Sequence, residues 1–381
     1  MNIPSTKPFF REEDIQAILA EVHAILQSGR LILGPHTRDF EKNFREYCGV
    51  KHAIAVSSCT AALEIVLRYF DVREKEVIIP TNTFIASSNA VLYAGGVPLL
   101  ADIRPDTLCL DPEDLLKRIT PRTCGVIVVH IAGLICPEID RLQEICHAKG
   151  LFLLEDAAHA HGATINGRKA GSLGDAGCFS FYPTKPMTTC VGGMITTNDD
   201  RLADYAYSLR HHGVGKDLND IVNLGNDWLM SEIDALLGTY QLRLLEANLR
   251  RRNEIAQRYA DGLNKIGGIN VLRVAPQIRH SYYKYPSWLS ETVDKAKLMA
   301  MMESRYGISL GSVYDPPCHL QPVYQRVFGF HNGMFPVAER TLKKVVCLPM
   351  FAQMTDEEVD YVIQSLKEAI AYCYESNRGQ R

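Results

Sequence analysis

Five short apolar runs, most of them followed by a helical stretch, constrain this chain more than any other feature. They are "HAIAVSS" (52–58), "EVIIP" (76–80), "PLLADI" (98–103), "TCGVIVVHIAG" (123–133) and "LFLLEDAAHAHGA" (151–163). Between them lie amphipathic segments such as "TAALEIVLRYF", "TFIASSNAVLYAG" and "RLQEICHAKG". A strand apolar on both sides has to be covered on both sides, and crossover helices supply the cover. The pattern therefore predicts an α/β fold built on a mainly parallel sheet. In such sheets ligands gather at the carboxyl ends of the strands.

Ahead of the first run, "EEDIQAILAEVHAILQS" (12–28) has apolar residues at helical spacing and stops at Gly29, and "RDFEKNFREYCG" reads as a second helix. From about residue 240 the texture changes. "YQLRLLEANLRRRNEIAQRYADGLNKIGG" reads as one long helix, an arm between domains, with "LRRRN" as its solvated face. Strand signals ("HSYYKYPSWL", "GISLGSVYDPP") and helices ("VDKAKLMAMMESRYG", "DEEVDYVIQSLKEAIAYCYES") follow. The expectation is a large α/β domain over residues 1–250 and a smaller α+β domain over 251–381.

Composition removes several function classes. A formal net charge of −3 gives no general electrostatic reason to bind nucleic acid or acidic lipid. The longest apolar stretch, "CGVIVVHIAGLIC" (124–136), is too short to span a bilayer and contains His130, which reads as structural at the end of a buried strand. The start, "MNIPSTKPFFREEDIQ", turns acidic at once, unlike a secretory leader. Eleven cysteines are scattered with no CxxC pair, which argues against a zinc site and suits a reducing cytoplasm.

Four loops at strand ends could carry chemistry. In "CFSFYPTKPMTTCVGGM" (178–194), Lys185 stands with no other charge on either side. Desolvation there would lower its pKa toward that of a nucleophilic amine, although an ordinary lysine at a strand end fits the same stretch. "LLEDAAHAHGA" runs a buried strand into Glu155 and Asp156, and a carboxylate so placed needs a cationic partner or serves as a turn cap. "SSCTAAL" (57–63) opens a helix directly after a strand, as either a phosphate cradle or a simple N-cap. "NTFIAS" (82–87) places Phe84 where it could cover a planar ring or fill a core. A lysine, an acid, a ring cover and a phosphate cradle together form the parts needed to hold pyridoxal 5'-phosphate.

Beyond these loops, "EDAAHAHGA", "SFYPTK" with "MTTCVGGMITTND", "SSCTAAL" and "YDPPCHLQPVY" resemble the DegT/DnrJ/EryC1/StrS sugar aminotransferases, fold-type I pyridoxal phosphate enzymes with a seven-stranded sheet. The resemblance runs from "GRLILGPHTRDFE" (29–41) to "CLPMFAQMTDEEVDYVI" (347–363). It implies that Lys185 bonds the cofactor and that Asp156 pairs with the ring nitrogen. It further implies that His159 lies near the ring hydroxyl, that Phe84 stacks on the ring, and that Cys59, Thr60 and Ser180 contact the phosphate. Weaker assignments are His211, His212, Tyr314 and His319 near substrate. The implied reaction moves the amino group of L-glutamate, by way of pyridoxamine 5'-phosphate, to a nucleotide-linked keto sugar in a cytoplasmic homodimer with shared active sites. The presence of Lys185 favours aminotransfer over the sugar dehydratases of the same family, which carry histidine there. A dehydratase or lyase, or a non-catalytic regulatory relative, is the alternative.

The chain departs from the family pattern at two places. In "GNDWLMSEI" (225–233), where the family commonly has Asn and then Arg, it has Asp227 and Leu229. The family's Asn reaches the neighbouring subunit's cofactor phosphate. Ionised Asp227 would repel that dianion, so Asp227 has to turn away, hold a proton or leave the contact to Asn226. The usual Gly-Glu before the Gly-Gly pair is Cys190 and Val191.

Overall fold

In the computed structural model, which describes residues 1–378, the five apolar runs become β1 (His52–Val56), β2 (Glu76–Pro80), β3 (Val97–Ala101), β4 (Thr123–Val129) and β5 (Phe152–Asp156). The two-residue strands β6 (Thr164–Ile165) and β7 (Arg168–Lys169) form a small hairpin before β8 (Ala176–Ser180) and β9 (Gly193–Thr197). Seven strands make the main sheet in the order β1-β9-β8-β5-β4-β2-β3. Strands β8, β5, β4, β2 and β3 are mutually parallel. Strand β9 alone is reversed, antiparallel to both β8 and β1. The reason is local: a loop without a crossover helix joins β8 to β9, so the chain has to return beside itself.

Helices pack on both faces as the sequence pattern requires, and Val126, Ile127, Val128, Leu154 and Ile195 are completely buried between them. The helix Glu12–Ser28 ends at Gly29 with φ +66°, a left-handed cap. Helix Pro35–Cys48 starts at Gly34, and fully buried Glu232 accepts hydrogen bonds from the amides of Gly34 (2.9 Å), His36 (2.9 Å) and Thr37 (3.0 Å) and from the Thr37 hydroxyl. A carboxylate at a helix N-terminus satisfies donors that lack intrahelical partners.

Glu232 also opens the long helix Glu232–Leu263, capped by Ser231, whose hydroxyl accepts from the Asp234 amide at 3.0 Å. This arm begins earlier than its apolar pattern suggests. Its basic run is not a uniformly solvated face: Arg252 is buried and donates to the carbonyls of Tyr282 (2.8 Å) and Met350 (3.0 Å). Three consecutive residues spread over roughly 200° of a helix, and Arg252 falls on the inward side while Arg250 stays exposed.

Beyond the arm, β10 (Ile269–Val271), β12 (Tyr285–Leu289) and β13 (Val345–Leu348) form a second sheet, while β11 (Ile278–Arg279) pairs back to β6. A second core gathers Tyr259, Leu298, Met302 and Leu366 together with Ile3 from the opposite end of the chain. "GISLGSVYDPP" forms only isolated bridges, Ile3 with Ile308 and Gly311 with Cys347. No helix among the described residues is long and apolar enough to cross a membrane.

Candidate active site

A cavity of about 440 Å³ opens at the carboxyl ends of β4, β5 and β8. Lys185, Asp156, His159, Phe84, Cys59, Thr60, Ser180 and Tyr314 all line it. These eight residues come from five separate segments; four of them follow strands of the main sheet, as the strand-end rule expects, and Tyr314 comes from beyond the long arm.

Asp156 is the last residue of β5, buried and registered between Val129 of β4 and Cys178 of β8. Its Oδ2 accepts from the Ser87 hydroxyl at 2.6 Å, and its Oδ1 accepts from the Ala158 amide at 3.1 Å. Ser87 Oγ lies a further 2.6 Å from Thr83 Oγ1. The carboxylate is therefore locked in one rotamer and has no ammonium or guanidinium bonded to it among the described residues. Its neighbour Glu155 points the other way. It accepts from His130 Nε2 (2.8 Å) and from the amides of Gly171, Leu173 and Gly174. His130 Nδ1 accepts from the Cys136 amide at 3.2 Å, so Nε2 carries the proton given to Glu155. His130 is thus a buried structural histidine.

Lys185 sits on the loop between β8 and β9, half-buried because its amine faces the cavity. Burial pulls its pKa down to about 8, against the opposing influence of Asp156 and Cys59. An amine near that value exists in both protonation states at neutral to mildly basic pH, as proton transfer in both directions requires.

One wall of the cavity is a helix N-terminus. Helix Cys59–Tyr69 is capped by Ser58, whose hydroxyl accepts from the Ala61 amide at 3.1 Å. That bond leaves the first amides of the helix directed at the cavity. A Cβ at Gly193 would fall 2.3 Å from the Ser58 carbonyl carbon. Only glycine there lets the lysine loop close against the helix start.

On the opposite wall, buried His159 stacks on Tyr283 with centroids 4.3 Å apart, and its Nε2 lies 3.1 Å from the Tyr314 hydroxyl. Burial, reinforced by Lys185 and Lys284, pushes its pKa well below the usual histidine range, so the ring is neutral. Its Nδ1 is buried with no partner in the protein. An orphaned ring nitrogen, an unsatisfied helix N-terminus and a single carboxylate without a cation fit a planar, phosphorylated, basic heterocycle such as pyridoxal phosphate. Phe84, 57% exposed at the mouth, is free to cover one face of such a ring.

Not every expected residue reaches this cavity. His319 is fully buried, with Nδ1 2.7 Å from the Thr81 hydroxyl and Nε2 3.0 Å from Glu339. Both ring nitrogens are engaged within the chain, and His319 does not line the cavity expected to meet substrate. His212, Asn226 and Asp227 form an exposed strap in which His212 N donates to Asn226 O at 3.0 Å and His211 pairs with Asp227. None of the four lines the cavity of its own chain. Cys190 occupies a left-handed backbone position, φ +70°, which explains why glycine is usual there. Val191 is 55% exposed at the rim.

The sequence reading missed Ser87, Thr83, Thr184 and Tyr283. Ser87 lay within the quoted loop "NTFIAS", one helical turn after Phe84, and that spacing was the available signal. Tyr283 comes from the far side of the long arm, and no local pattern announces it.

The profile of the DegT/DnrJ/EryC1/StrS aminotransferase family matches residues 12–367. The chain is 36% identical over 383 residues to the spore coat polysaccharide biosynthesis protein SpsC of Bacillus subtilis (strain 168), covering 97% of each chain. It is 37% identical over 338 residues to GDP-perosamine synthase of Caulobacter vibrioides, covering 87% of this chain and 89% of that one. Spr1654 from Streptococcus pneumoniae, solved in a PMP form, superposes with a TM-score of 0.92 at 28% identity, covering 99% and 100% of the two chains. Its PLP form gives a TM-score of 0.90. The chain belongs to the DegT/DnrJ/EryC1/StrS aminotransferase family of pyridoxal phosphate enzymes.

Proposed function

We propose that this protein transfers the amino group of L-glutamate to a nucleotide-linked keto sugar, giving an amino sugar for a surface glycan, a lipopolysaccharide or a glycosylated metabolite. The observation that carries the reading is the meeting, in one cavity, of a lysine held near pKa 8 and a locked, cation-free carboxylate. The similarity to GDP-perosamine synthase supports a sugar nucleotide as acceptor.

Bound pyridoxal phosphate would supply an electron-withdrawing ring and a carbon able to take up and release an amino group. The N-terminus of helix Cys59–Tyr69 with Thr60 and Ser180 holds the phosphate, and Asp156 keeps the proton on the ring nitrogen. Neutral His159, its Nε2 beside Tyr314, offers Nδ1 toward the ring hydroxyl. Phe84 shields the outer face. Lys185 Nζ removes the proton from the α-carbon of the donor and later delivers one to the sugar carbon that receives nitrogen.

A homodimer completes the site in this reading. The strap that carries Asn226 and Asp227 exposes Leu218, Ile221, Val222 and Leu224, the last by 90%. An apolar cluster on a solvent-facing strap belongs against another surface. A partner's Asn226 and Asp227 would then stand beside the phosphate.

The test is an absorption spectrum of the protein with pyridoxal phosphate, before and after L-glutamate, beside Lys185→Ala. A visible band that glutamate bleaches and the variant lacks supports the reading. A band indifferent to glutamate removes glutamate as donor, and no band removes the enzyme assignment.

A further inference from the structure

We propose that Tyr283 is a positioning residue of this site, its ring forming the common seat for the free amine of Lys185 and the imidazole of His159. Lys185 Nζ lies 4.6 Å from the centroid of the Tyr283 ring. The His159 ring stacks on the same ring at 4.3 Å with 29° between planes. The Tyr283 hydroxyl is 3.1 Å from Thr184 Oγ1, on the residue just before Lys185. One side chain thus touches the lysine, the lysine's own backbone neighbour and the histidine wall.

The seat is itself held rigidly. Tyr283 is 7% exposed and belongs to the strap that leads into β12. The amide of Ser281 donates to Gly133 O at 3.1 Å, and that of Lys284 donates to Ala132 O at 3.0 Å. The Ser281 hydroxyl donates to His159 O at 2.7 Å. A strap from beyond the long arm is therefore tied on both sides of Tyr283 to the loop after β4.

The physical role follows from the ring quadrupole, whose negative face attracts an ammonium most strongly where water is scarce. A lysine side chain has a long flexible stem, and an amine that leaves its cofactor bond would otherwise sample many positions. Several groups act on the Lys185 amine: burial disfavours its charge, Asp156 and Cys59 favour it, and Lys185 in turn depresses His159 and His161. Lys284, 5.3 Å from the same Tyr283 ring, adds a second cation to the neighbourhood. The aromatic face joins Asp156 and Cys59 in keeping the amine protonatable. In turnover this matters only if Lys185 is the reacting amine, as read above. The seat itself can be tested in protein without cofactor.

The experiment measures the pH dependence of Lys185 acylation in cofactor-free protein, by trace labelling with a neutral amine-reactive reagent and mass spectrometry of the Lys185 peptide. Tyr283→Phe keeps the ring and removes the hydroxyl. Pentafluorophenylalanine at position 283 keeps the shape and inverts the quadrupole, which avoids the folding risk of a truncated side chain. The expected result is a midpoint in the phenylalanine variant close to that of the wild type, and one lower by about one pH unit in the fluorinated variant. An unchanged midpoint in the fluorinated protein overturns the seat, whatever the spectrum with glutamate shows. Equal falls in both variants also overturn it, because the hydroxyl rather than the ring face would then be responsible.

Discussion

Ser87 Oγ lies 2.6 Å from Asp156 Oδ2, a bond between the first turn of one helix and the end of a central strand. It fixes the direction in which the carboxylate looks. A hydrogen bond to a charged group contributes about 1.5–3 kcal/mol. Ser87→Ala is expected to weaken pyridoxal phosphate binding roughly tenfold by equilibrium titration of the visible band, with most of the fold's stability retained. If Asp156 pairs with the ring nitrogen as proposed, Asp156→Asn should cost far more, because the ring nitrogen would lose the charge that holds its proton. Unaltered binding in Ser87→Ala would show that the Ala158 amide and packing hold the rotamer without the serine.

Lys185 sets a sign for stability in the absence of cofactor. Its pKa falls from the unfolded value near 10.5 to about 8 in the folded protein. Between those values the unfolded chain binds more protons, so folding stability rises with pH. Below about 8 the penalty is fully present, and above 10.5 it is gone. Lys185→Met is therefore expected to melt higher than wild type at pH 7 without cofactor, with the gap narrowing as pH rises through that window. Thermal melts across the pH range check it. A constant gap would assign the effect to packing instead of ionisation.

Asn226 and Asp227 are absent from their own chain's cavity. If they serve a partner's site, Lys185→Ala subunits mixed with Asn226→Ala/Asp227→Ala subunits regain one intact site per hybrid dimer. Random reassociation then recovers roughly a quarter of wild-type activity. A mixture as inactive as its components would place both residues outside the shared site. Within the same geometry, Asp227→Asn is expected to tighten cofactor binding by removing a negative charge from beside a phosphate.

Cys190 holds φ +70°, where a side chain crowds its own backbone. Cys190→Gly is expected to stabilise the protein by about 1 kcal/mol, the relief outweighing the extra chain entropy glycine brings. Chemical denaturation measures it, and a destabilised variant would mean that the exposed thiol makes a contact worth more than the strain.

The local pattern made the large sheet legible. The sequence runs that became β1 to β5 are apolar throughout because helices cover both faces, and Asp156 stood out because it ended one of them. Lys185 stood out through its uncharged surroundings. The remainder depends on long-range contacts that leave no periodic trace. Ser87 reaches Asp156 across 69 residues, Tyr314 reaches His159 across 155, and Arg252 turns inward because carbonyls from two distant loops await it. His319 looked like a site residue because buried and catalytic histidines share one letter. Only the positions of Thr81 and Glu339 reveal that both its nitrogens are taken.

The loop that bears Lys185 is clamped at its two ends, since Ser180 and Gly193 face each other across adjoining antiparallel strands and Gly193 rests against Ser58. Amine and helix start, the proposed anion cup, are consequently one mechanical part. Lengthening or shortening the loop would not slide the amine along a fixed cup; it would have to break the strand register or displace the helix start. Variation in what the enzyme accepts is therefore free to accumulate at the mouth, around Phe84, Val191 and the exposed strap. The reach between amine and anchor is held by the weave of the sheet.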